Sequence, residues 1–373
     1  MDGYTLPDNV EVLLLGTKVS VGTGNASNNY LLGNSLNNIL NGAAGADVMA
    51  GYDGNDSYYI DNVGDIVWEA TNQGVDTVNT YLSYILMANV ENLNLLGTAV
   101  GGFGNNVDNV ITGNTADNLL NGGGGANTLI GGTGNDYYFV SSTLDTIVEN
   151  VGEGSDIVYS TAANFTLTAN VENMVIWGTG LNGTGNAGDN IIFGGEFNNT
   201  LADGAGSDIL VGGRGQDTYI LSVDNTLDML YISAGDSLVT SYDKAYSFNL
   251  GTSTSSSVGV DRLNLPTTLI AANTSAVGGT AIGSITGASI NNGIISFRGI
   301  GGSVIAPAAV VLNDAIAYIQ ANITGTNTVA FVAGTDTFVF QDAGTADTLV
   351  DLVAVTATSI NATGLGVGTV WII

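Results

Sequence analysis

Cysteine and histidine are both missing from the 373 residues. Without cysteine there is no disulfide and no thiolate zinc site, and the redox compartment is left open. Without histidine the commonest general base and transition-metal ligand is gone. Any bound metal must then be a hard cation held by oxygen, Ca²⁺ or Mg²⁺. Basic residues are nearly absent too: Lys18, Arg214, Lys244, Arg262 and Arg298 stand against 34 acids, a net charge of −29. That balance argues against nucleic acid or an anionic membrane as partner. It favours bound cations, since crowded carboxylates destabilise a compact state unless something neutralises them. Only three prolines occur, so the chain is neither collagen-like nor a proline-rich linker. No run is long and apolar enough to span a bilayer, so a soluble chain without membrane insertion is expected. The opening MDGYTLPDNVEVLLLGT has no basic n-region, which predicts no N-terminal secretory signal. An exported chain of this kind would leave by another route.

What the chain does have is glycine, 54 residues, with 45% hydrophobic residues, enough for a core. It is also internally repetitive. DNVEVLLLGT (Asp8 to Thr17), ANVENLNLLGT (Ala88 to Thr98) and ANVENMVIWGT (Ala169 to Thr179) are copies of one segment, with Val10, Val90 and Val171 spaced 80 and 81 apart. The first copy starts almost at Met1, so the chain is expected to begin inside a longer array. Within each long repeat lies a block of nines, over 24–59, 104–139 and 185–220. Glycine leads all but one unit, Asn or Asp is always sixth, and a large apolar residue is always eighth.

A nine-residue period with one inward apolar position suits a short strand plus a turn, and two units make one flattened coil. The eighth positions, Leu31, Leu40, Met49 and Tyr58 in the first block, would stack into a narrow core. The intervening DIVWEA, GVDTVNTYLSYIL and VENLNLLG also read as strands. The expected fold is all-β: a parallel β-roll or β-solenoid over 1–242, whose coils contact only their neighbours and need caps at the ends. A mostly β C-terminal domain with one helix is expected over 243–373. There GVDRLNLP and GIISFRG read as strands and Ala308 to Ile323 as the helix, with Leu312, Ile316, Ile319 and Ile323 on one face. TVAFVAGTDTFVFQDAG reads as a hairpin, followed by DTLVDLVAV and GTVWII.

The nonads resemble the RTX, or haemolysin-type calcium-binding, family, whose unit is GGxGxDxUx; GGTGNDYYF (Gly131 to Phe139) matches it best. The resemblance covers about two thirds of the chain and implies several Ca²⁺ ions. The ions would lie between turns eighteen residues apart, held by backbone carbonyls and sixth-position acids. Carried over, the acids are Asp47, Asp56, Asp136, Asp208 and Asp217, and the carbonyls those of Gly42, Ala44, Gly51, Asp53, Gly131 and Thr133. The other sixth positions are Asn29, Asn38, Asn109, Asn118, Asn127, Asn190 and Asn199, which bring oxygen without charge. Asn–Asn pairs are therefore expected to form hydrogen-bonded ladders instead. The eighteen-residue spacing pairs Asp56 with Asn38, Asp136 with Asn118, Asp217 with Asn199, Asp47 with Asp65, and Asn127 with Asp145. Asp47–Asp65 is expected to be the strongest pair, followed by the Asp56 and Asp136 turns. Two extra residues in LSVDNTLDML set Asp208 against Thr226 and put Asp228 out of register. Glu69, Glu149, Asp76, Asp156 and Asp236 are read as solvated strand ends or turn acids.

The C-terminal region is similar to type I secretion target domains, which implies a type I exporter as partner and a secreted or cell-surface location. The first functional expectation is a calcium-binding structural protein, the C-terminal part of a bacterial S-layer protein or adhesin, self-associating into a lattice. The second is the secretion and folding module of an RTX protease, lipase or epimerase without its catalytic domain. Neither HExxH nor GxSxG is present, and the chain is expected not to be an enzyme. A solenoid polysaccharide hydrolase using Asp65 with Glu69 is a third reading, but repeated acids at metal spacing are better explained by metal.

Overall fold

Each nonad folds as a turn followed by a strand of three to five residues in the computed structural model. Strands Tyr30–Leu32, Ile39–Asn41, Val48–Ala50 and Ser57–Ile60 follow one another at this period. Side chains alternate across a strand, so only the central one of three can point inward. Leu31, Leu40, Met49 and Tyr58 take that place and are fully buried. Alternate strands lie in opposite walls, and each pairs in parallel with the strand eighteen residues on: Tyr30 with Val48, Ile39 with Ser57. The core is thus a stack of single inward residues. One wall stacks Leu13, Leu31, Met49 and Val67. The other stacks Gly22, Leu40, Tyr58, Val78, Leu93 and Ile111.

The structure describes residues 3–224, 226–233, 235–250, 260–265, 269–323, 325, 327–342, 347–361 and 369–372. They fall into two units, Met1–Ala163 with Thr168–Asn173, and Asn164–Leu167 with Met174–Ile373. The first unit is a parallel β-solenoid throughout, with walls of nine and four strands and part of a third. The second begins with the same coils: Gly183, Leu201, Tyr219 and Ala245 stack in one wall, Ile192, Leu210, Leu230 and Leu263 in the other. Parallel pairing therefore runs on past residue 242, through strands Asp243–Tyr246 and Arg262–Asn264.

The second unit then turns antiparallel. Strands Gly287–Asn291 and Ile294–Arg298 form a hairpin, and Thr328–Ala333, Asp336–Gln341 and Thr348–Leu352 a meander. The last of these pairs in parallel with Asp243–Tyr246. Thr369–Ile372 pairs antiparallel with Arg262–Asn264, so neither wall of this unit ends on a bare edge there. A helix forms over Leu312–Asn322, four residues later than its sequence start, because Pro307–Ala309 makes a separate 3₁₀ turn. Its apolar face (Ile316, Ile319 and Ile323, with Tyr318) packs on Phe297, Phe331 and Phe338. The outer residues of the sequence-predicted segments, Gly259, Pro266, Gly344, Ala346, Gly368 and Ile373 among them, lie outside the described residues. No helix is long and apolar enough to cross a membrane among those described.

Candidate metal centres

Two kinds of turn occur along the coils, asparagine turns first in each block and aspartate turns last. In the aspartate turns the second and fourth positions take left-handed backbone: Ala43 and Gly45 at φ 59° and 130°, Tyr52 and Gly54 at 71° and 132°, Gly132 and Gly134 at 95° and 134°. Glycine is favoured there because a side chain is strained in that region. The first position needs glycine for a different reason. A Cβ on Gly42, Gly51, Gly131 or Gly212 would come within 2.1, 1.9, 2.1 or 2.4 Å of Oδ2 of Asp47, Asp56, Asp136 or Asp217. The sixth-position carboxylate folds back over its own leading glycine. The carbonyls of Gly42, Gly51 and Gly131 in turn lie against Gly24, Gly33 and Gly113 of the coil before. Ala44, Asp53 and Thr133 sit exposed at the turn tips.

Where an asparagine follows the leading glycine, as with Asn25, Asn34, Asn105 and Asn114, its amide closes the turn; the Asn127 and Asn199 turns have Gly123 and Gly195 there instead. Asn105 Nδ2 donates to the carbonyls of Met87 and Val90 at 2.6 and 2.8 Å, and its own N–H donates to Asn109 Oδ1 at 2.8 Å. Asn25 does the same with Pro7, Val10 and Asn29. Carbonyls that could otherwise face a cation already have a donor here. Asn109 N–H donates to Asn127 Oδ1 at 3.0 Å, a ladder of amides.

The stacked sixth positions are joined by the same bond at each step. Asn38 N–H donates to Asp56 Oδ1 at 2.6 Å, Asn118 to Asp136 at 2.6 Å, Asn199 to Asp217 at 2.8 Å and Asp47 to Asp65 at 3.0 Å. Asn127 reaches Asp145 through both N–H and Nδ2, at 3.1 and 2.9 Å. Oδ1 is thereby satisfied while Oδ2 of Asp47, Asp56, Asp136, Asp208 and Asp217 is buried with no hydrogen-bond partner. Asp65 and Asp145 differ: their Oδ2 accepts from local N–H groups, of Asp61 and Asn62 and of Ser141 and Ser142.

Three expectations are corrected. Asp208 does not meet Thr226: its N–H donates to Asp228 Oδ1 at 2.9 Å, and Ile209 pairs with Met229. The two extra residues are taken up in the turn before, where Thr226 N–H bonds Asp224 Oδ1, so Asp228 is in register. Glu69, Asp76, Glu149 and Asp156 are not solvated but at most 7% exposed. Their segments fold as further coils, so these acids point inward with the nonad acids. Asp236 alone of that set is a turn acid as expected, accepting from Ser233 N–H.

Those buried acids complete two matching clusters. Asp56, Glu69 and Asp76, and Asp136, Glu149 and Asp156, each bring carboxylate oxygens within 4.8 Å of one another. Tyr58 Oη donates to Glu69 and accepts from Gly51 N–H at 2.7 Å, while Tyr138 Oη donates to Glu149. Asp47–Asp65 is not among such groups of three. The signal for the clusters was in the sequence: a glutamate eleven residues after the eighth-position tyrosine and an aspartate twenty after the sixth-position one, in both blocks. Burial pushes Asp56 and Glu69 up to about 7, Glu149 to about 8 and Asp76 and Asp156 to about 6, with neighbouring carboxylates adding to it. Partnerless, mutually repelling oxygens over a glycine cradle fit a hard divalent cation, which would neutralise them.

The model of the RTX calcium-binding nonapeptide repeat matches residues 23–59, 100–138 and 184–219. These are the blocks whose glycine cradles and stacked acids have just been described. The chain carries RTX calcium-binding repeats. Two relatives from Rhizobium meliloti (strain 1021) align with part of it. Endo-1,3-1,4-beta-glycanase ExsH is 39% identical over 90 residues, 24% of this chain and 18% of that protein. Endo-1,3-1,4-beta-glycanase EglC is 36% identical over 99 residues, 26% and 21%. The chain spans about a fifth of the length of these relatives. The aspartate turns of these blocks, and the two clusters that Glu69, Asp76, Glu149 and Asp156 complete from beyond them, are the candidate calcium positions, while the turns that open Gly-Asn are closed by amides.

Proposed function

We propose that this chain is the calcium-binding structural module of a secreted bacterial surface protein, S-layer or adhesin-like, which folds on several Ca²⁺ ions after type I export. The observation that carries the proposal is the row of buried carboxylate oxygens without hydrogen-bond partners along the RTX coils. A metal-free coil must bury those carboxylates unpaired or take up protons to neutralise them, and either is costly; cation binding to the folded state alone shifts the equilibrium toward it. Such a chain stays loose where calcium is scarce and folds where it is millimolar, in the range of extracellular sites. Calcium titration followed by circular dichroism and light scattering tests this. Gain of β-structure reversed by chelator, with ordered assembly, is expected. A chain equally folded without calcium would refute the metal reading, and a persistent monomer the lattice.

A second reading draws on the two relatives, both named as glycanases. In it the chain is the folding and secretion module of an RTX enzyme, with catalysis in another part of the protein. Calcium-dependent folding without assembly is its expected outcome.

A further inference from the structure

The third block breaks the rule that glycine leads each nonad, and the break puts a charge where the other units have none. In DGAGSDILV the leading residue is Asp203 and the sixth Asp208. At the corresponding places Gly42, Gly51, Gly131 and Gly212 lie directly beneath a sixth-position carboxylate, too close for a Cβ. Asp203 brings a whole carboxylate into that space and is itself only 2% exposed. Its oxygens accept from Gly204 N–H and Ser222 N–H, both at 2.7 Å. Asp208 and Asp228, stacked through the 2.9 Å bond, are 0% and 1% exposed, and Oδ2 of each has no partner. The three residues bring carboxylate oxygens within 4.8 Å of one another. Asp261, also buried, extends the stack by another coil, accepting from Asp228 N–H at 3.4 Å.

We infer that Asp203, Asp208 and Asp228 form a separate site for a hard divalent cation, in which Asp203 adds a ligand that the nonad pattern does not supply. The donors are all carboxylate oxygen, the chemistry that Ca²⁺ takes. In the first two blocks the third acid of the cluster is a glutamate reached from beyond the nonads. Here it is built into the nonad itself, one unit earlier in the block. The site rests on the reading of these repeats as calcium-binding, but its ligand set is this chain's own.

The test counts metal on the full chain. Wild type, Asp203→Asn and Asp203→Gly are dialysed against Ca²⁺ and their bound calcium measured by mass spectrometry, with circular dichroism alongside. Glycine is the ordinary residue at this position, so Asp203→Gly restores the common aspartate turn and is expected to keep the wild-type count. One ion fewer per chain is expected in Asp203→Asn, with the calcium-induced spectrum retained. An unchanged count in folded Asp203→Asn overturns the site while leaving the calcium reading of the repeats intact. Loss of the calcium-induced spectrum in both variants also overturns it, since Asp203 would then be a structural cap for Gly204 and Ser222. A wild type that binds no calcium overturns the parent reading as well.

Discussion

Asn38 N–H donates to Asp56 Oδ1 at 2.6 Å, while Asp56 Oδ2, buried against Gly51, has no partner. One bond sets the register of adjacent coils and aims a free oxygen into the turn. The coil scaffold and the candidate ligand are therefore the same residue. Substituting it separates the two roles only if the backbone bond is kept. Asp56→Asn and Asp136→Asn keep an acceptor for Asn38 and Asn118 and remove the charge. In metal-free buffer each is expected to be as stable as wild type or more so, by about 1 kcal/mol. With saturating calcium each is expected to fall below it. Thermal unfolding with and without Ca²⁺ shows this as a crossing of the two orders; a variant less stable in both conditions would make the carboxylate purely structural.

The buried acids also fix a dependence on pH. Burial raises Asp47 to about 6, Asp56 and Glu69 to about 7, and Glu149, Asp208 and Asp243 to about 8, from 3.8 or 4.5. Their folded values lie above the unfolded ones, so between about pH 4 and 8 the folded state holds more protons. Stability of the metal-free chain is then greatest below this window and falls as pH rises through it. Calcium needs the deprotonated form and tightens with pH, so with saturating ion the folded acids hold no extra protons and the decline is lost. Melting of metal-stripped protein at pH 5 and 8 measures the sign. A metal-free midpoint that rises with pH would contradict the burial of these acids.

The solenoid was legible from the nonads because one inward residue per nine leaves little freedom: the buried Leu31, Leu40, Met49 and Tyr58 are the eighth positions. Pairing at eighteen was legible for the same reason. Glu69 and Asp76 were harder to place, since their segments have lost the glycine signature and read as connecting strands. They nevertheless form coils, two residues longer, with Asp56 N–H reaching Asp76 Oδ1 at 2.8 Å. Spacing within a coil is elastic at its turns while the inward strand residue stays in step. A fixed count of eighteen hence misjudged Asp228, while Asp76 and Asp156, in segments without the glycine signature, were read as solvated acids.

The asparagine turns should answer to a different variable. Asn105 Nδ2 bridges the carbonyls of Met87 and Val90, and Asn105 Oδ1 accepts from Val107 N–H. Asn105→Ala leaves these backbone groups without those partners, at a cost of about 1–3 kcal/mol. Because an amide rather than an ion closes this turn, the loss is expected to be the same with and without calcium. Chemical denaturation at both conditions compares them, and a loss confined to the calcium-loaded state would place an ion in the turn after all.

Tyr58 ties core to cluster: it is fully buried, its ring stacks in the wall, and its hydroxyl joins Gly51 N–H to Glu69. Burial raises its hydroxyl well above the usual tyrosine range, so it stays a neutral donor to the carboxylate. Tyr58→Phe keeps the ring and removes both bonds, leaving Gly51 N–H unsatisfied and Glu69 free to turn. A stability loss of about 1–3 kcal/mol is expected in the metal-free state. Glu69 loses the bond that holds its orientation, so calcium affinity at the first cluster should fall as well. Tyr138→Phe should act in the same direction on the second cluster through Glu149. The double variant should then be additive, since the two clusters share no residue. Titration calorimetry on the single and double variants checks it, and strong coupling between them would mean that the two clusters do not bind independently.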